Sequence, residues 1–303
     1  MASFSAHKEL DFKGLKYFMN GEYDLPSKTV VFLHGNTASK ESFLDLVPLL
    51  NDAGFSCVIL VDLPGFGAST EIDGPYTVRN ACTWINQLLS FIGVESCVFA
   101  GWSLGGHIAL RYYKEYPEQV HGLVTFGTPP INSDDPALLG EAFGKAFDGS
   151  EYEGYDEAEH MKLIGLLSKG DLLTEEEAEM FMRHPVADES FFDTDVYQYQ
   201  VQVAMTSKKA GQARQEYLGS FFTDVNDEGK VHNEYKTALS HPNIRMIHAE
   251  FDGAISYKYM QSVDEAYHSK WGKNILHVIN GAKHACFMSD KARAFVDVFR
   301  TLE

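Results

Sequence analysis

One stretch limits what this chain can fold into more than any other. Val98-Phe99-Ala100-Gly101-Trp102-Ser103-Leu104-Gly105-Gly106-His107 passes from an apolar, β-prone segment through Gly-x-Ser-x-Gly into a helix-forming run, Ile108 to Tyr116. Cys97 to Ala100 reads as a buried strand. A serine on a sharp strand-to-helix turn leaves no room for neighbouring Cβ atoms, so glycines flank it. The turn lifts the hydroxyl off the sheet and sets it at a helix N-terminus, where free N–H groups favour a developing negative charge. That context makes Ser103 the candidate nucleophile.

The flanking segments fit one architecture. Thr29 to Leu33 is a continuous apolar run, as expected of a strand covered on both faces. Ser56 to Val61, Val120 to Phe126, Ile244 to Ala249 and Asn274 to Ile279 read the same way. Helical periodicity falls between them, over about Lys40 to Ala53, from a Thr77 cap to about Ile92, over Tyr257 to Tyr267 and over Asp290 to Leu302. Leu10 to Glu22 reads as a β-hairpin. Strands alternating with helices predict an α/β fold with a mostly parallel, doubly wound sheet. From about Asn132 to Ser240 the strand signals vanish. Glu157 to Leu167 and Tyr197 to Tyr217 read as helices, and Thr174-x-x-Glu177 is a capping box. The expected layout is a core of residues 1–131 and 241–303 with a helical cap insertion, 132–240, over the catalytic end of the sheet. Sixteen acidic residues against four basic ones between Glu141 and Asp195 mark a solvated helix surface there.

Charge and cysteine usage exclude several partners. A formal net charge of −18 should repel nucleic acid and anionic membranes. The four cysteines, Cys57, Cys82, Cys97 and Cys286, are scattered in mostly apolar runs, which predicts reduced thiols and a cytoplasmic setting. No signal-peptide core occurs in Met1 to Leu10, and no stretch has the length of a membrane span. No metal-ligand spacing and no glycine-rich phosphate loop occur, so no metal and no cofactor are expected.

A serine hydroxyl needs an adjacent base, and the base an orienting carboxylate. In this layout the order is serine, acid, histidine, each just after a strand. Asp252 follows the strand ending at Ala249, and His284 follows the last strand. Glu250 competes with Asp252, but the Phe251-Asp252-Gly253 turn can swing Asp252 over the sheet. Gly127-Thr128-Pro129-Pro130, after the strand ending at Phe126, offers no alternative carboxylate. An oxyanion hole needs two backbone donors. Leu104 N–H is one, and Asn36, in the loop after Thr29–Leu33, supplies the other. His34 reads as a buried structural histidine and His107 as a packing or supporting residue. Trp102 reads as pocket wall or core, its ring flanking the serine.

Together, His34-Gly35-Asn36, Asp62-Leu63-Pro64-Gly65-Phe66-Gly67, the serine turn, Asp252 and His284 resemble the α/β-hydrolase superfamily. A closer likeness lies in Gly101-Trp102-Ser103-Leu104-Gly105-Gly106-His107, Tyr116-Pro117-Glu118 and Gly127-Thr128-Pro129-Pro130, which look like the metal-independent, serine-dependent N-acyl homoserine lactonases of that fold. That resemblance implies ring-opening of a lactone beneath a helical cap. It assigns Ser103 as nucleophile, His284 as base, and Asn36 and Leu104 as oxyanion donors. The acid of that group can be a glutamate, where this chain has the shorter Asp252. The expected activity is hydrolysis of a small-molecule carboxylic ester or lactone through an acyl-enzyme. The alternatives are a carbon–carbon bond or haloperoxidase-like hydrolase, or a small-lactone receptor with little turnover. Oligomeric state has no sequence signal.

Overall fold

The computed structural model describes residues 8–135, 157–167, 169–184, 186, 189–223 and 231–303. Its centre is one eight-stranded sheet: β1 (Leu10–Phe12), β2 (Leu15–Asn20), β3 (Thr29–Leu33), β4 (Cys57–Val61), β5 (Cys97–Trp102), β6 (Val120–Phe126), β7 (Ile244–Ala249) and β8 (Leu276–Ile279). The strand order is β1-β2-β4-β3-β5-β6-β7-β8. The predicted hairpin forms the antiparallel edge, and every pairing from β4 to β8 is parallel.

Helices cover both faces, which is why β3, β4 and β5 are buried at every residue. Val31 and Leu33 of β3 join one core with α2 (Val78–Phe91), α3 (Leu104–Glu115) and α9 (Tyr257–Trp271). Val30 and Phe32 join the other, with α1 (Val47–Asp52) and α10 (Ala292–Phe299). The Thr77 side chain caps α2 by accepting from Asn80 N–H, as expected.

Two predicted helices differ. Lys40 to Ala53 is not one helix: Lys40–Leu46 winds as a 3-10 helix, and α1 begins at Val47. Pro48 has no N–H to donate to an upstream carbonyl, so it is tolerated only in the first turn of a new helix. The predicted Tyr197 to Tyr217 helix is two, α6 (Asp195–Thr206) and α7 (Ala210–Thr223). The chain is extended at Ser207, whose hydroxyl donates to Gly65 O at 3.4 Å.

Between β6 and β7 the described residues carry α4 (Glu157–Leu167), α5 (Glu175–Arg183), a 3-10 turn at Glu189–Asp193, α6, α7 and α8 (Glu234–Ala238). The Thr174–Glu177 capping box is present on α5. Part of the acidic stretch lies outside the described residues; within them, Glu175 and Glu176 are exposed. Helix α7 is tied to the core loops: Tyr217 Oη donates to Pro64 O at 3.1 Å, Glu216 accepts from Tyr76 N at 2.7 Å, and Ser220 accepts from Val78 N at 3.2 Å. The segment leaving β6 and the segment returning toward β7 run side by side. Tyr235 N donates to Ile131 O, Ser133 Oγ to Val231 O, and Asn233 Nδ2 to Asn132 Oδ1. No helix among the described residues is long and apolar enough to cross a membrane.

Candidate active site

Ser103 sits between β5 and α3 with φ 51° and ψ −113°, a left-handed backbone that a non-glycine residue seldom adopts. The close packing around it explains the glycines. A Cβ on Gly101 would lie 2.3 Å from Gly105 O, one on Gly105 2.0 Å from Leu33 O, and one on Gly106 2.1 Å from Thr128 Oγ1. Helix α3 thus starts at Leu104, four residues before the sequence-predicted Ile108, because glycines of low helix propensity mask its first turn. Ser103 N donates to Phe126 O at 2.9 Å, and Thr128 Oγ1 donates to Ser103 O at 3.0 Å.

The acid and the histidine meet. His284 Nδ1 lies 2.9 and 3.0 Å from the two oxygens of Asp252, which is fully buried at its side chain. Asp252 Oδ1 also accepts from Ala254 N (2.9 Å) and Ile255 N (3.2 Å), the local turn that the Asp-Gly sequence favours. Burial pushes the Asp252 carboxyl up. The charges of His284 and His248 and the bonds from His284 and Ala254 outweigh it, and the group lies below its ordinary value. An ionised carboxylate only accepts, so Nδ1 carries the proton and Nε2 is left as the basic nitrogen. The ring lies against the turn after β6: a Cβ on Gly127 would be 2.7 Å from His284 Cε1. Gly127 follows Phe126, whose carbonyl holds Ser103 N, so serine and imidazole share the carboxyl ends of β5 and β6. Glu250, the competing acid, is exposed and accepts from Gly281 N at 2.7 Å.

Asn36 and Leu104 face the same end. Asn36 lies in the loop after β3, before Thr37 at φ 64°. Its Oδ1 accepts from Thr37 Oγ1, and its buried Nδ2 has no hydrogen-bond partner among the described residues. Leu104 N belongs to the first turn of α3, which has no acceptor within the helix. His34 is wholly buried between the loops after β3 and β4, bonded to Gly35 O at 2.7 Å and accepting from Leu63 N at 2.9 Å. Burial, only partly offset by Asp62, pushes its pKa down to about 4, so the neutral ring acts as a clamp.

Trp102 is both core and wall. Its ring packs 5.1 Å from Phe287 between centroids, and its Nε1 donates to His284 O at 3.2 Å. It also borders a recess of only about 10 Å³ between the sheet and the helices that follow β6, with Ala38 and Ser42 on one side and Met182, Phe191 and Gln200 on the other.

Sequence reading passed over two buried polar groups. Glu234 accepts from Ile131 N (3.0 Å) and lies 2.7 Å from His107 Nδ1, joining the base of the insertion to the serine's helix. Lys40 lies buried among Glu9 (2.8 Å), Glu41 (2.7 Å) and Asp62 (2.8 Å). These three carboxylates are close enough to ligate a metal ion, but the ammonium already bonds all three. Burial and Asp62 raise the Glu41 carboxyl while Lys40 opposes them. Neither group follows a local pattern; a charged residue after a turn normally reads as solvated. The four cysteines are buried and form no disulfide.

The chain belongs to the alpha/beta hydrolase fold family, whose sequence profile matches residues 28–291. Among individual proteins, it is similar to pimeloyl-acyl-carrier-protein methyl ester esterase of Shewanella woodyi, 37% identical over 101 residues, 33% of this chain and 36% of that one. The chain thus matches only about a third of that relative's length. Over 98% of both chains it superposes on N-acyl homoserine lactonase AidH complexed with N-butanoyl homoserine, with TM-score 0.70 and 21% identity. A thermophilic esterase from Thermogutta terrifontis superposes with TM-score 0.65 and 19% identity, over 94% of this chain and 91% of that one. At such identities the superpositions establish the fold.

Proposed function

We propose that this protein is a serine hydrolase of carboxylic esters or lactones, with N-acyl homoserine lactones as the specific candidates. The observation that carries the reading is the buried Asp252–His284 pair beside a backbone-strained serine at a helix N-terminus. Ser103 Oγ attacks the acyl carbon while His284 Nε2 takes its proton. Leu104 N–H and Asn36 N–H hold the oxyanion, and Asp252 stabilises the imidazolium. The imidazolium then protonates the leaving alkoxide. His284 next deprotonates a water that attacks the acyl-enzyme, releasing the acid and restoring the serine. In a lactone the alcohol stays tethered to the product.

The segment 132–240 serves in this reading as a cap that walls the substrate, with Trp102 beside the nucleophile. The relatives, an esterase and a lactonase by name, support the reaction class. Buried cysteines without disulfides fit a reducing, cytoplasmic compartment.

The test is a panel of 4-nitrophenyl esters and N-acyl homoserine lactones of graded acyl length at constant pH. Multiple turnover that Ser103→Ala abolishes is the expected result. A single slow cycle, or turnover untouched by that substitution, overturns the reading; the slow cycle would point to a lactone receptor.

A further inference from the structure

Gly106 lies outside the Gly-x-Ser-x-Gly pattern, yet it too has no room for a side chain. What it makes way for is Thr128: a Cβ on Gly106 would fall 2.1 Å from Thr128 Oγ1 and 2.7 Å from its Cβ. Thr128 is wholly buried. Its Oγ1 lies 3.0 Å from Ser103 O and 3.1 Å from Phe126 O, so its single proton is shared between two carbonyls. Phe126 O in turn accepts from Ser103 N at 2.9 Å. The hydroxyl thus holds the carbonyl of the nucleophile directly and its N–H through one intermediate. Those two groups flank the strained φ 51° and ψ −113° of Ser103. Ser103 O also accepts from Gly106 N at 2.9 Å and His107 N at 3.3 Å, but both donors belong to its own helix. Thr128 ties the carbonyl to a different element.

That element is well fastened. Gly127 N donates to Ile247 O on β7 at 3.3 Å, and Tyr259 Oη on α9 donates to Pro130 O at 2.5 Å. Pro129 and Pro130 fix two further φ angles. The same turn backs the imidazole: a Cβ on Gly127 would lie 2.7 Å from His284 Cε1 and 3.3 Å from Nε2. Serine and base are therefore both placed against three consecutive residues, Phe126 to Thr128.

We propose that Thr128 is a positioning residue, whose hydroxyl fastens the Ser103 backbone to the turn behind His284 and so sets the reach from Ser103 Oγ to the imidazole. It touches neither substrate nor the reacting atoms. The inference rests on the hydrolase reading and adds to it a residue that acts through the nucleophile.

Thr128→Ser and Thr128→Ala both lose the methyl group and differ only in the hydroxyl. With a 4-nitrophenyl ester, Thr128→Ser should keep kcat within about threefold of wild type, and Thr128→Ala should lower it about ten- to a hundredfold with KM nearly unchanged. Labelling of Ser103 by a fluorophosphonate should slow in the same ratio, because it needs the serine–imidazole geometry. Thr128→Val, which keeps the volume and loses the hydroxyl, takes the place of Thr128→Ala if that variant fails to fold. Equal losses in the serine and alanine variants overturn the proposal. So does a lower melting temperature in Thr128→Ala with kcat of the folded protein intact. Wild-type protein that neither hydrolyses esters or lactones nor takes up the label sinks the hydrolase reading and the positioning role with it. An active wild type beside an equally active Thr128→Ala sinks the positioning role alone.

Discussion

At Ser103 the backbone sits at φ 51° and ψ −113°, and it persists there because its surroundings leave no alternative. Phe126 O holds its N–H, Thr128 holds its carbonyl, and three glycines admit the neighbouring chain. Local sequence announces this residue because the strain itself demands glycines at fixed offsets. It announces the histidine and the acid only by their place after strands. The sequence reading preferred Asp252 to Glu250, and in the structure the Glu250 carboxylate goes to Gly281 N and the Asp252 carboxylate to His284. On the proposed mechanism, Asp252→Asn costs about 10³- to 10⁴-fold in kcat, because the amide stabilises the wrong imidazole tautomer. Circular dichroism and thermal melting should show the fold retained. Activity within tenfold of wild type would remove Asp252 from the orienting role.

Elements show where pattern reading works and where it stops. The parallel strands were legible because burial on both faces leaves unbroken apolar runs, and β6 and β7 match the sequence-derived boundaries residue for residue. The Lys40–Ala53 and Tyr197–Tyr217 runs have helical periodicity yet break at Pro48 and Ser207, where chain chemistry and a bond to the core take over. No periodicity could reveal that Glu234 joins the two ends of the insertion to α3. Glu234→Ala leaves His107 Nδ1 and Ile131 N without their acceptor, in a buried setting. We expect a loss of about 2–4 kcal/mol in urea unfolding, with faster amide exchange concentrated at residues 131–135 and 231–238. Exchange rising uniformly over the whole chain, or stability unchanged, would contradict a local joint.

For the whole molecule, pH is the natural probe. Burial lowers His34 and His241 to about 4, against an ordinary value of 6.5. Between those values the unfolded chain binds protons that the folded chain refuses, so stability is complete above pH 6.5 and falls as pH drops toward 4. From pH 6.5 to 5 ordinary carboxylates remain ionised, and the decline reports histidines; for His34 it amounts to up to about 2 kcal/mol. Urea midpoints across that window should fall with falling pH, and a flat profile would show that these rings titrate normally. The amino-acid sequence by itself determined the order of strands and helices, the parallel sheet and the strained serine turn, because each depends on residues within one or two turns of chain. Tertiary structure alone decided meetings that no sequence motif announced: Glu234 with His107 across 127 positions, Gln200 with Ser39 across 161. Those distances are set by strand register and by how the insertion packs on the sheet, and no local pattern of residues encodes either.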